Sequence, residues 1–342
     1  MTYSTNTATQ KSLRPMLYSS KFRPAWWLRN PHAQTIWAAR IQPAPTPKTT
    51  TERLITPDND FLDLDWTTNS EGPIVMIFHG LAGSAQSRYV KSLMQYLSKQ
   101  GVRAVLMHFR GCSGEPNRTP RSYHSGLTTD LKFLIDTVKE RYPDVPLAAA
   151  GYSLGGNALL KFLATHQYNP LDFAVSVSPP LVLAEGAKRL DHGFSRIYQQ
   201  RLLEMMKQAL RDKHALYPEF KLDELDFENQ TNFTGFDDAV TAPLHGFESV
   251  WDYYEKASTL NDLININTPT HILWSRDDPF FSEACIPEDK QLAESVDFEL
   301  TEHGGHVAFI SGAIPLIGKS WLCERVGSLL LERLQKTKNA CQ

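Results

Sequence analysis

Ser153 stands in Gly151-Tyr152-Ser153-Leu154-Gly155, directly behind the small apolar run Leu147-Ala148-Ala149-Ala150. A serine hydroxyl is a weak nucleophile until a base removes its proton, and the base needs an acid to hold it in one tautomer. The chain carries candidates for both, in the order serine, acid, histidine that doubly wound hydrolases use. Asp277 and Asp278 follow the apolar run His271-Ile272-Leu273-Trp274, and His303 and His306 follow Phe298-Glu299-Leu300-Thr301. Asp278 is the expected acid, because it lies where the chain has cleared the strand end and turns at Pro279. Asp277 is the alternative, with turn capping as its other role. His306 is the expected base. Gly304 and Gly305 let the loop before it bend sharply enough to bring an imidazole over the serine, whereas His303 lies nearer its strand. Such a set performs acyl transfer through a covalent acyl-enzyme.

The reaction also needs donors aimed at the oxygen that becomes negative. A helical pattern follows Ser153, so the Leu154 N–H at its start is one expected donor. The other is the Leu81 N–H, in the loop His79-Gly80-Leu81-Ala82-Gly83-Ser84, where Gly80 lets the backbone approach a substrate. His79 itself and the distant His32 are expected to be structural. The remaining histidines show no metal-ligand spacing, and no cofactor or metal is called for.

A five-residue serine motif is common by chance, so its neighbours must supply the strand, turn and helix that give it meaning. Ile74-Val75-Met76-Ile77-Phe78 is a continuous apolar run, as a strand buried on both faces requires. Tyr89, Val90, Leu93, Met94 and Leu97 recur at helical spacing up to Gly101, and Ala104 to Phe109 form the next strand. Leu127, Leu131, Leu134, Ile135 and Val138 mark another helix, Phe173 to Val177 another strand, and Trp321 to Leu334 the last helix. Before them, Arg53–Thr56 and Phe61–Trp66 read as a hairpin about Asp58-Asn59-Asp60. Repeated strand–helix alternation argues a parallel sheet covered on both faces.

Between Pro179 and about Asn261 the alternation stops, leaving two helical patterns around Ile197–Leu210 and Phe247–Tyr254. This insert reads as a helical lid over the sheet's C-terminal edge. Its Phe194, Tyr198, Met205 and Met206 either line an acyl pocket or, as is commoner, dock the helix. At the other end, residues 1–20 are polar and expected to be mobile. Trp26, Trp27 and Trp37 are costly to leave in water, so the arm around them is expected to be strapped onto the domain.

The formal charge of −3 gives no general attraction to nucleic acid. Cys112, Cys285, Cys323 and Cys341 are widely spaced and read as free thiols of a reducing compartment. With no signal-peptide pattern and no apolar run of spanning length, a cytoplasmic protein is expected, in at most transient contact with lipid.

Several stretches together resemble one family, the YheT-type or embryogenesis-associated-protein-like α/β-hydrolases. They are Trp27-Leu28-Arg29-Asn30-Pro31-His32-Ala33-Gln34-Thr35, His79-Gly80-Leu81-Ala82-Gly83, Phe109-Arg110-Gly111-Cys112-Ser113-Gly114 and the elbow from Gly151 to Asn157. Asp237-Asp238, Thr241-Ala242-Pro243-Leu244-His245-Gly246-Phe247 and Gly304-Gly305-His306 complete the set. The resemblance runs from about Phe22 to Leu331. It implies an α/β-hydrolase fold, with a mostly parallel eight-stranded sheet, and a Ser153, Asp278, His306 triad. It further implies hydrolysis of carboxylic esters, short- to medium-chain or of acylglycerol type. Arg110 and Asn117 are assigned to loop structure. The expected organisation is an arm at 1–50, a core at 51–180 and 262–342, and a lid at 181–261. Thioester hydrolysis, acyl transfer to another acceptor, and a binding role on a retained hydrolase fold are the alternatives.

Overall fold

The computed structural model describes residues 17–69 and 71–340. Its strands are β1 (Leu17–Ser19), β2 (Thr49–Ile55), β3 (Phe61–Thr67), β4 (Ile74–Phe78), β5 (Arg103–Met107), β6 (Leu147–Tyr152), β7 (Phe173–Val177), β8 (Thr270–Ser275) and β9 (Val296–Thr301), with a short separate pair, β10 (Ile310–Ser311) and β11 (Lys319–Ser320). The α-helices are α1 (Pro31–Ile36), α2 (Arg88–Lys99), α3 (Thr129–Arg141), α4 (Leu154–Thr165), α5 (Leu183–Leu190), α6 (Ser195–Leu216), α7 (Phe233–Phe236), α8 (Ala242–His245), α9 (Val250–Ala257) and α10 (Trp321–Ala340).

The main sheet runs β1-β9-β8-β7-β6-β4-β5-β3-β2. From β1 to β5 all neighbours are parallel, and β3 and β2 close the far edge as an antiparallel hairpin. The alternation along β4 shows why the run is apolar throughout. Ile74, Met76 and Phe78 share a core with Leu131 and Leu134 of α3 and Leu159 and Phe162 of α4. Val75 and Ile77 pack instead with Val90 and Leu93 of α2 and Val326 and Leu330 of α10. Each such side chain gains about 1.5–3 kcal/mol from burial, so a polar residue anywhere on this strand would be costly.

The sheet has nine strands rather than eight. The additional one is β1, in the stretch expected to be mobile, where Leu17 lies opposite Phe298 of β9. Backbone pairing along an edge that would otherwise be open holds it there, a source of stability that polar side chains do not reveal. Residues 1–16 lie outside the described residues. The arm that follows is fastened through Ala25, Leu28 and Trp37, which pack with Ile310, while Trp27 stacks edge-on against Trp37. Trp26 departs from expectation and is 61% exposed.

Between β7 and β8 the chain forms α5 to α9, which share an apolar cluster of their own that includes Leu203, Leu210, Phe236 and Tyr253. Two of these helices, α7 and α8, are only four residues long, too short for a periodic pattern to show. Because β4, β6, β8 and β9 are parallel, their C-terminal ends meet at one edge. The chain steps from β4 out to β5 and back across β4 to β6, which opens a crevice at that edge.

Candidate active site

Ser153 directly follows β6 and occupies the N-cap position of α4, with φ 50° and ψ −120°. A non-glycine residue in this region is strained and persists only where its surroundings dictate it. Here the Ser153 N–H donates to the Val177 carbonyl at 2.8 Å, and its own carbonyl accepts from Asn157 at 3.0 Å. Gly155 cannot be replaced, since a Cβ would lie 2.3 Å from the His79 oxygen. The strand–turn–helix therefore pushes one hydroxyl out of the backbone at the crevice.

That hydroxyl lies 3.0 Å from Nε2 of His306, and Nδ1 of His306 lies 2.8 Å from Oδ2 of Asp278. The Asp278 side chain is fully buried and its Oδ1 accepts from the Phe280 N–H at 2.8 Å. A carboxylate accepts only, so Nδ1 carries the proton and Nε2 presents its lone pair to the serine. The Phe280 ring stacks on the imidazole with centroids 3.9 Å apart and planes 5° apart, fixing the ring's tilt. The three side chains thus form one hydrogen-bonded chain able to draw a proton from Ser153.

Asp277 and His303 are joined separately, with His303 Nδ1 3.1 Å from Asp277 Oδ2. Asp277 Oδ1 accepts from Ser275 Oγ and from the Gly305 N–H, so this carboxylate ties the end of β8 to the histidine loop. The loop is held almost wholly by side chains. The His306 N–H donates to Thr35 Oγ1 at 3.0 Å, the Val307 N–H to Ser178 Oγ, and the Ile310 N–H to Gln34 Oε1 at 2.7 Å. Val307 and Phe309 have φ of 51° and 50°, a strain these bonds must hold. Gly305 rests directly on the arm, where a Cβ would lie 2.7 Å from the Pro31 oxygen. Thr35, Gln34, Ser178 and Phe280 are the site residues that sequence reasoning did not assign. The stretch Asn30-Pro31-His32-Ala33-Gln34-Thr35 carries a signal for Gln34 and Thr35 only.

Gly80 abuts the elbow, where a Cβ would lie 3.3 Å from that of Ser153. In the same loop the Gly80 N–H donates to the Tyr89 hydroxyl, Ala82 to the Tyr123 hydroxyl, and Gly83 to the Gly80 carbonyl. Among the described residues the Leu81 N–H donates to no protein acceptor, and neither does the Leu154 N–H at the start of α4. His79 is buried and neutral. Its Nε2 accepts from the Phe109 N–H, Nδ1 donates to the Gly80 carbonyl, and burial pushes its pKa down to about 3. His32 meets Tyr198 at 3.2 Å, and burial lowers its pKa.

Ser153 and His306 open into a cavity of about 640 Å³, lined in part by Leu81, Ile36, Phe194, Ile197, Tyr198 and Met205. Phe194, Tyr198 and Met205 thus face open space, and Tyr198 also packs against the helical cluster. Met206 lines a second cavity, of about 630 Å³, that meets Leu81 and Met205 from the other side. Arg110 lies beneath that cavity, paired with Asp130, Asp58 and Asp60, and Asn117 bonds Asp60. Lys213 of α6 reaches the same network, donating to Asn117 Oδ1 and to the carbonyls of Pro120 and Arg121. In the Asp237–Phe247 stretch, Asp237 bonds Thr241 and Tyr254 while Leu244 and His245 line the second cavity. No group of three or more His, Cys, Asp or Glu that could hold a metal occurs among the described residues. None of their helices is long and apolar enough to cross a membrane.

Comparison with known proteins agrees with this architecture. Residues 73–313 match the family model described as alpha/beta hydrolase fold. The chain is 39% identical over 325 residues to "Putative esterase YheT" of Escherichia coli (strain K12), covering 93% of this chain and 95% of that one. It is 28% identical over 305 residues to "Phospholipase ABHD3" of Homo sapiens, covering 86% of this chain and 75% of that one. Among solved structures, the Pyrococcus furiosus esterase Pf2001 matches with a TM-score of 0.55 at 17% identity, over 86% of this chain and 98% of that one.

Proposed function

Because the chain belongs to the YheT-type group of the α/β-hydrolase family, we propose that it cleaves carboxylic esters through an acyl-enzyme on Ser153. His306 Nε2 takes the Ser153 proton as Oγ attacks the ester carbonyl. Asp278 keeps Nδ1 protonated and stabilises the imidazolium that forms. The Leu81 and Leu154 N–H groups receive the carbonyl oxygen as it becomes negative, a contribution of about 2.7–4 kcal/mol for each such donor. His306 then gives its proton to the departing alkoxide, so an alcohol leaves and the acyl group stays on Oγ. Water, deprotonated by His306, attacks the acyl-enzyme, and Ser153 regains its proton as the acid departs. The observation that carries this reading is the continuous chain Ser153 Oγ, His306, Asp278, at 3.0 and 2.8 Å.

The substrate class we infer is an ester with an apolar acyl group, of short to medium chain or of acylglycerol type. The supporting observation is the lining of the serine cavity by Ile36, Phe194, Ile197 and Met205. We assign the segment from α5 to α9 the role of a lid, since α6 supplies Ile197 and Met205 to the cavity wall and its N-cap residue is Phe194.

The test is hydrolysis of p-nitrophenyl esters of increasing acyl length by the wild type, Ser153→Ala and His306→Ala. Loss of either residue is expected to lower kcat by roughly 10⁶. Turnover that survives Ser153→Ala in protein free of contaminating esterase contradicts the proposal.

A further inference from the structure

Among the described residues, fourteen large apolar side chains are exposed, and nine of them gather around the mouth of the serine cavity. Isolated exposed apolar residues need no explanation, but a contiguous group marks an interaction surface. Ile36, Phe194, Ile197 and Met205 line the mouth itself. Ile41 ends the turn that follows α1, beside the lining residues Ala39 and Arg40. Trp26, Ile314, Leu316 and Ile317 continue the surface outward, each between 60% and 74% exposed. The Trp26 indole donates to the Ala313 carbonyl at 2.8 Å, which fixes the ring beside the β10–β11 loop. That loop also lies against the arm at Gly318, where a Cβ would be 3.1 Å from the Trp37 Nε1.

The charges on this side differ from those of the whole chain, which carries 38 acidic and 35 basic residues. Residues 17–42 contain Lys21, Arg23, Arg29 and Arg40 and no Asp or Glu, and residues 310–320 contain Lys319 and no Asp or Glu. All five cations are exposed. Apolar groups set among unopposed cations favour an anionic lipid surface, which accepts the first into its headgroup layer and the second at its phosphates. A second copy of the chain fits poorly, because an isologous contact would press like charges together.

We infer that this face docks onto an anionic membrane surface, with Trp26, Ile314, Leu316 and Ile317 inserted and the mouth of the serine cavity turned toward the lipid. The docking itself needs no catalysis. Its use, delivery of an ester from the bilayer to Ser153, rests on the function proposed above.

The experiment is flotation of the full chain with vesicles of phosphatidylcholine alone or mixed equally with phosphatidylglycerol, in low and high salt. Binding is expected to the mixed vesicles, at least about tenfold above phosphatidylcholine alone, and to fall as salt screens the charges. The variant Ile314→Ser/Leu316→Ser/Ile317→Ser is expected to lose at least about tenfold in binding while hydrolysing a soluble short-chain p-nitrophenyl ester at the wild-type rate. Arg23→Gln/Arg29→Gln/Lys319→Gln is expected to lose about 100-fold, since each cation near the surface contributes about fivefold. Ser153→Ala is expected to float like the wild type, so failure of the ester chemistry and failure of docking are read separately. No flotation with phosphatidylglycerol, equal binding of the wild type and the loop variant, or a dimer in solution that the loop variant dissociates would each overturn the inference.

Discussion

Asp277–His303 and Asp278–His306 come from the same two loops and have similar Nδ1–carboxylate distances, 3.1 and 2.8 Å. They differ in what surrounds them. His303 has a side chain 51% exposed, and such a surface pair contributes little, about 0–1 kcal/mol. The His306 and Asp278 side chains are 10% and 0% exposed, with Phe280 stacked on the imidazole face and Ser153 Oγ at its Nε2 edge. Exclusion of water strengthens the second pair and fixes one tautomer, while the third partner, Ser153 Oγ, gives the pair a proton to move. Asp277 spends its oxygens on Ser275 and Gly305 and so holds the loop on which His306 is mounted. The comparison teaches that residue type and spacing nominate a dyad, and that burial and a third partner decide which one can act.

The largest effect that would break this comparison lies in the acids. Asp278→Asn is expected to lower kcat by about 10⁴, through the wrong histidine tautomer, with geometry preserved. Asp277→Asn should cost no more than about tenfold, as a loop tie and not a tautomer anchor. Steady-state kinetics on one soluble ester, compared between the two variants, would reverse the assignment if the order were inverted.

A smaller effect sharpens how the buried pair is held. Thr35→Val leaves the His306 N–H without its acceptor, a loss of about 1–3 kcal/mol at a buried site. Part of that should appear as a kcat lowered about tenfold with KM little changed. Thr35→Ser should restore the rate. A Thr35→Val enzyme that matches the wild type would remove the arm from the account of the site.

The smallest effect concerns a buried carboxylate that has no imidazole partner. Asp237 accepts only from the Thr241 and Tyr254 hydroxyls, and burial raises its pKa to about 6. A raised value means its contribution to stability is full below the ordinary carboxylate range and is lost as pH rises through about 6. Asp237→Asn should therefore be more stable than the wild type at pH 8, by about 1–3 kcal/mol, with the gap closing toward pH 4. Thermal melts of both proteins across that range check the sign.

Much of this molecule is legible in its sequence, for physical reasons. The core strands are buried on both faces and so read as apolar runs, and Gly151 and Gly155 mark an elbow where a Cβ would strike backbone. The proposed set Ser153, Asp278 and His306 lies just past strand ends, which a parallel sheet brings to one edge. What escaped reading is made by pairing across long distances. β1 is three residues held by backbone bonds, and Thr35 and Gln34 act on a loop more than 270 positions away. The exposure of Trp26 was hidden too, since tryptophan's large apolar area favours burial unless a surface uses it.

The central claim, that one buried pair and not its neighbour activates Ser153, is tested most directly with a fluorophosphonate probe. Wild-type, His303→Ala and His306→Ala proteins would be exposed to it and mapped by peptide mass spectrometry. The account predicts a single adduct on Ser153, formed equally fast in the wild type and His303→Ala and suppressed in His306→Ala. An adduct on another residue, or one that needs His303 and forms without His306, would contradict it.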